Sequence, residues 1–204
     1  MLAKFFTKTP KRSDAYIFTT ILVCGVLGLV AALTLSIERY IQLTSPSTPL
    51  VCDFNAIFNC GTVMQTWQAK VFGFPNSFIG LMAYPVVITL AVVGLAGLKL
   101  PRWFMAWAQV GFGLGLLFAY WLFFQSVFVI QVLCPLCLVV TLVTLIAFDA
   151  LLRYNIRNNN LFLQHKTHKK FNEWLDKDYD KMFTSAWIAA MIALVLVQFP
   201  GIYQ

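Results

Sequence analysis

Four of the five cysteines fall into two pairs whose spacing suits thiol chemistry. Cys134-Pro135-Leu136-Cys137 is a C-x-x-C, and its proline fits the first turn of a helix, where a missing N–H costs nothing. Residues three apart share a helix face, and the positive end of the helix dipole favours a thiolate. Cys137 then lies one turn deeper than Cys134, about 4.5 Å along the axis. The outer sulfur can exchange with another protein sulfur, while the inner one can face a molecule dissolved in lipid. Cys52 and Cys60, separated by seven residues, form a second, looser pair. Two alternatives stay open. The pairs could be structural disulfides, although a bridge inside C-x-x-C closes so small a loop that it contributes little entropically. All four thiolates could instead hold a tetrahedral zinc, although the spacing of Cys52 and Cys60 is loose for such a site.

Lipid is the medium that must position these cysteines. The chain is 60% hydrophobic and 11% charged, against roughly a quarter charged in soluble domains. Residues 15–37, 77–98, 103–148 and everything after Lys181 are free of charge. A span needs about 20 apolar residues, so the third stretch holds two spans, dividing at Gln131-Val132-Leu133-Cys134-Pro135. The pattern predicts five transmembrane helices. The apolar run of the first is longer than a signal-peptide core of about 7–15 residues, which reads as a retained span ending at Ile37-Glu38-Arg39.

The net charge of +7 is unevenly distributed. Lys4, Lys8, Lys11 and Arg12 precede the first span; Lys99 and Arg102 separate the second from the third. Seven more, from Arg153 to Lys181, lie between the fourth and fifth. Only Arg39 and Lys70 fall in the remaining loops. This is a positive-inside partition, with the N-terminus in the cytoplasm and the C-terminus outside. The basic residues are topology signals rather than a nucleic-acid surface. The same rule places all four paired cysteines outside, where disulfides persist. Cys24, alone in the first span, reads as a packing residue; His165 and His168, in the connector, read as solvated.

A loop pair and a pair at the membrane edge can form a relay, because thiolates attack disulfide sulfurs. With no haem, flavin or nucleotide motif in the chain, a lipid-soluble quinone is the simplest terminal acceptor.

Cys52-Asp53, Cys60, Phe72-Gly73, Asn76-Ser77 with Gly80, and Cys134-x-x-Cys137 occur in the order found in the vitamin K epoxide reductase family. Residues 15–150 resemble that family, and the run from Asn59 to Asn76 is especially similar to its single-domain bacterial members. The resemblance implies a four-helix transmembrane bundle around a quinone pocket, with a fifth transmembrane helix added here. It implies that Cys52 exchanges with a separate extracytoplasmic thioredoxin-fold (DsbA-like) protein, that Cys60 passes electrons to Cys134, and that Cys137 contacts the quinone, of menaquinone or ubiquinone type. Asn76, Thr66 and Thr141 are the implied quinone-binding residues; no metal is implied. Thr141 stands where the animal epoxide reductases carry a tyrosine, which argues against epoxide reduction.

The resulting expectation is an all-α membrane protein with a cytoplasmic segment at 1–14 and a redox domain at 15–152, whose loop at 38–76 lies outside the cytoplasm. A cytoplasmic connector at 153–181 and a fifth helix at 182–204 complete it. The expected activity is reoxidation of the DsbA-like partner at a bacterial inner membrane. The rivals are a vitamin K epoxide or quinone reductase and a non-catalytic scaffold.

Overall fold

The computed structural model describes residues 12–45 and 50–200, so most of the basic N-terminal segment and the last four residues lie outside it. Five helices are long and apolar enough to cross a membrane. They are α1 (Arg12–Thr44), α3 (Ser77–Leu95), α4 (Arg102–Phe124), α5 (Pro135–Arg157) and α7 (Tyr179–Gln198). Two shorter helices, α2 (Cys60–Gln65) and α6 (His165–Asp176), occupy the connections, and no strand occurs among the described residues. The protein is an all-α membrane protein, as its composition predicts.

The first helix differs from expectation. The charged pair Glu38-Arg39 suggests an end, yet α1 continues to Thr44. Its length of 33 residues corresponds to about 50 Å, well beyond the ~30 Å hydrocarbon core. Tertiary bonds hold the extra turns. Glu38 is only 3% exposed, and its Oε1 accepts the Val51 N–H at 3.2 Å. Arg39 Nη1 donates to Gln42 Oε1 at 2.7 Å, and Gln42 Nε2 donates to the Gly61 carbonyl at 2.9 Å. The end of α1 is thus a stalk on which the cysteine loop rests.

In the bundle, α1 packs on α3 and α5, and α4 packs on α5. Association in lipid relies on close packing at small residues. A Cβ at Gly28 would lie 2.2 Å from the Tyr84 ring, and one at Gly94 would lie 2.4 Å from the Phe18 ring. The Tyr84 hydroxyl continues across the bundle to Thr144 Oγ1 at 3.0 Å. Gly28→Ala should therefore force the ring aside and destabilise by about 1–3 kcal/mol, read as a lower thermal midpoint in detergent. Gly111→Ala, where nothing lies within 4 Å, should be neutral or slightly stabilising.

After α4 the helix widens into a π-turn (Gln125–Ile130), which ends at Gln131 in the left-handed region with φ 56°. The Ser126 hydroxyl donates to the Val132 carbonyl. This reversal lets Cys134 begin α5, as the proline predicts.

The connector contains α6 in its second half, also as expected, and it is docked rather than free. Arg153 Nη2 donates to the Leu175 carbonyl at 3.1 Å, and Leu175 is 1% exposed. His168 is a correction to the expectation of a solvated side chain: it is half-buried, with Nε2 2.9 Å from the Ile156 carbonyl. His165 is exposed. α7 runs back along α5. At one end Arg153 Nη1 pairs with Asp180 Oδ2 at 2.6 Å, and the Thr184 hydroxyl donates to Asp149. At the other, Phe199 packs with Val127 and Leu133.

Candidate active site

The loop after α1 is stitched to the segment that precedes Cys134. The Asn59 N–H donates to the Leu133 carbonyl at 2.9 Å, and the Leu133 N–H donates to the Ile57 carbonyl at 2.7 Å. Leu133 itself is fully buried. These two bonds fix the register between loop and helix, so that the residue after Asn59 faces the residue after Leu133. Those residues are Cys60 and Cys134, and their Sγ atoms lie 3.3 Å apart.

Local signals set the rest. Asn59 caps α2, its Oδ1 accepting the Thr62 N–H at 2.7 Å, and thereby places Cys60 at the helix start. Asp53 Oδ1 accepts the Gly61 N–H at 3.0 Å, which folds the strap carrying Cys52 over α2. Cys52 and Cys60 are joined in a disulfide, whereas Cys134 and Cys137 are free. Cys134 is the N-cap of α5, its Sγ accepting the Cys137 N–H at 3.3 Å. Cys52, Cys60 and Cys134 are each at most 3% exposed and share a cluster with Leu35, Leu50 and Met64.

Cys134 and Cys137 form part of the wall of a cavity of about 980 Å³ between the helices. Ligand sites typically run to roughly 300–1,000 Å³ and are mostly apolar with a few polar groups. Here the polar groups include Asn76, Thr141, Gln68, Ser126 and Tyr84. An extended apolar molecule with a polar head fits this wall, and so does a quinone.

The implied quinone-binding residues are placed unequally. Asn76 lines the cavity, but its amide is engaged: Nδ2 donates to the Gln68 carbonyl at 2.6 Å and Oδ1 accepts the Val71 N–H at 3.2 Å. It shapes the turn (Trp67–Lys70) and leaves one N–H for a ligand. Thr141 also lines the cavity, with its hydroxyl donated to the Cys137 carbonyl at 3.0 Å. Thr66 is off the cavity wall, and its hydroxyl donates to the Val63 carbonyl at 2.8 Å at the end of α2.

Sequence spacing missed several participants. Gln68, 5% exposed, carries nothing in the pattern that marks it. Tyr84 sits one turn beyond Gly80, a small-residue spacing that could have flagged it. Glu38 looked like a helix end. Cys24 is buried with Ala32, Tyr84, Val143 and Ala147, as a packing residue should be. Cys52, Asp53 and Cys60 bring ligand atoms within 4.8 Å of one another. A metal there would need the dithiol form, because both sulfurs are consumed in the disulfide.

A disulfide whose inner sulfur touches the outer cysteine of a C-x-x-C is a geometry for exchange. The model of the vitamin K epoxide reductase family matches residues 19–151. The chain belongs to the vitamin K epoxide reductase family. The match covers most of α1, all of α3 and α4 and most of α5, with the cysteine loop between them, and leaves α6 and α7 outside. No curated protein matches the chain in sequence. Membership makes the protein a membrane thiol–disulfide oxidoreductase of a family that works with quinones.

Proposed function

We propose that the protein reoxidises a separate extracytoplasmic thioredoxin-fold (DsbA-like) dithiol oxidase and passes the electrons to a membrane quinone of the menaquinone or ubiquinone type, supporting disulfide formation. The observation that carries this reading is the 3.3 Å approach of Cys134 Sγ to Cys60 Sγ while Cys60 is bonded to Cys52. Reacting atoms at about 3–3.5 Å are in near-attack range. In the proposed direction, the partner's dithiol reduces Cys52–Cys60, first attacking Cys52. The Cys60 thiolate then attacks Cys134 Sγ in a Cys134–Cys137 disulfide, and Cys137 leaves as a thiolate. Cys52 next attacks Cys60, the Cys60–Cys134 bond breaks, and Cys134 is released. Two electrons have moved inward, and the loop disulfide is restored. That end state has the bonding seen here, with the loop pair closed and the inner pair free. A quinone in the cavity supplies an acceptor of two electrons and two protons beside Cys137.

The distribution of Lys and Arg supports placing the cysteine end outside a bacterial inner membrane, with residues 15–152 as the redox unit and 153–181 in the cytoplasm. Reduction of an epoxide as the main reaction finds little support at Thr141, whose hydroxyl is spent inside its own helix.

The test is to trap the partner. In Cys60→Ala, the Cys52 thiolate can still attack the disulfide of the oxidised partner, one partner sulfur leaving as a thiolate, and Cys60 is no longer there to displace the partner from the mixed disulfide. Acid-quenched cells should therefore accumulate a covalent adduct with a secreted thioredoxin-fold protein. The adduct should vanish when Cys52 is also replaced. An adduct that survives in the double variant, or none at all, would remove Cys52 from the entry role.

A further inference from the structure

The connector presents a face that neither the bundle nor the cysteine chemistry uses. α5 starts beside Cys134 and runs 23 residues to Arg157, about 34 Å, so α6 sits at the end of the bundle opposite the cysteines. Only Lys177 and Asp178 join α6 to the membrane-spanning α7. Two residues reach at most ~7 Å, so the end of α6 lies at the bilayer rim. His168, Asn172 and Leu175 follow i, i+4, i+7 spacing and turn towards α5, through the Ile156 carbonyl and a Leu175 that is 1% exposed. The neighbouring arc is aromatic and uncovered, with Phe171 41%, Trp174 38% and, at the start of α7, Tyr179 42% exposed. Lys166 and Lys170 on α6, with Lys177 just after its end, run along the edge of this arc. Together these six side chains border a groove of about 660 Å³.

The charge of this groove is net positive. Glu173 is the one acidic side chain on its wall. Asp178 is paired with Arg153 and Lys181, and Asp180 with Arg153. Asp176 lies off the lysine stripe, on the side of α6 away from the aromatic arc.

We propose that this face of α6 is a binding site for anionic phospholipid headgroups of the adjoining leaflet, with Phe171, Trp174 and Tyr179 at the headgroup–acyl boundary and Lys166, Lys170 and Lys177 on the phosphates. Aromatic side chains concentrate at that boundary, and an interfacial helix is defined by an apolar face flanked by lysines. Depth favours lipid over a soluble protein, because a surface this near the rim is covered by the bilayer before a protein can reach it. The aromatic arc alone would bind any lipid; the lysine stripe selects the anionic ones.

The full chain, reconstituted in nanodiscs of phosphatidylcholine with graded phosphatidylglycerol, tests this by native mass spectrometry of the retained lipids. The natural protein should retain phosphatidylglycerol in preference to phosphatidylcholine, and the preference should fall with salt. Replacing Lys166, Lys170 and Lys177 together by Gln should weaken that preference by roughly five-fold per lysine. The corresponding triple Arg variant should keep it, as should Lys169→Gln, off the stripe. All these lysines are exposed, so the variants should elute like the natural chain on size exclusion. Equal retention of the two lipids by the natural protein would overturn the proposal, and so would a triple Gln variant with undiminished preference. Protection of α6 by a soluble protein, with no lipid preference, would make the face a protein-docking surface instead.

Discussion

Cys137→Ala should lose quinone reduction driven by a small dithiol by on the order of a thousand-fold or more, as removal of a reacting nucleophile does in other enzymes. Cys134→Ala should lose as much, because the inner pair is the last pair of sulfurs before the cavity. Cys60→Ala should behave differently. Cys134 is only 1% exposed, and the atom pressed on it is the Cys60 sulfur at 3.3 Å. Removing that sulfur opens a path from the loop side, so a small dithiol reaches Cys134 and the reaction continues. In Cys52→Ala the small dithiol can itself resolve a Cys60–Cys134 bond, and activity again persists. Neither loop variant should oxidise a folded protein partner. The measurement is quinone absorbance with each donor in turn. Full small-dithiol activity in Cys137→Ala would refute its assignment as the quinone-contacting sulfur, and equal activity in all four variants would leave only structural disulfides.

The second large effect is expected far from the sulfurs. Arg153 is the hub that ties α7 and α6 to α5, with Asp180 at 2.6 Å, Asp178 at 2.7 Å and the Leu175 carbonyl at 3.1 Å. The side chains of Arg153 and Asp180 are 12% and 9% exposed. Removing one partner of so buried a pair leaves an uncompensated charge, typically at a cost of about 3–5 kcal/mol. Arg153→Ala should accordingly lower the thermal midpoint in detergent sharply and make the Asn158–Asp178 region sensitive to protease. A double variant, Arg153→Met with Asp180→Leu, should recover much of the loss. If Arg153→Ala melts like the natural chain, the fifth helix is held by lipid rather than by this network. The exposed arm of the hub has its own pH signature. Lys181, and then Arg153, hold the Asp178 carboxyl below the usual carboxylate range. A lowered folded value means that this arm stabilises above the unfolded pKa and weakens only as pH falls through the folded one. Neutral buffers should leave it intact.

Much of this was legible in the residues. The charge-free runs correspond to the membrane helices because lipid leaves few alternatives to a helix. The Lys and Arg distribution, which is blind to cysteine, put both pairs at one end, and the fold brings Cys60 and Cys134 into contact there. What escaped reading rests on bonds between residues distant in sequence. No local pattern reveals that Glu38 will accept the Val51 N–H and keep α1 helical for two more turns, or that His168 will reach the Ile156 carbonyl. Asn76 shows a different limit. The family pattern marks it, but not that most of its hydrogen-bonding capacity is taken up by the turn at Gln68 and Val71. Thr66 is the same case carried further, with its hydroxyl turned to Val63 and away from the cavity.

The backbone clamp on Leu133 bears on how the proposed route would be operated. It holds Cys60 in place, while Cys52 rides on a strap tied back by the side chains of Glu38 and Asp53 and by one backbone bridge, between Asp53 and Asn59. On the proposed route Cys52 would be the arm that meets the partner and Cys60 the fixed post. A sulfur makes one disulfide at a time, so the post can serve the arm or the inner pair but never both. Traffic is then single-file, like an airlock whose two doors never stand open together. A partner outside and a quinone within would never be joined by one continuous conducting path, and a partner already oxidised would be shielded from electrons leaking back out of the pocket.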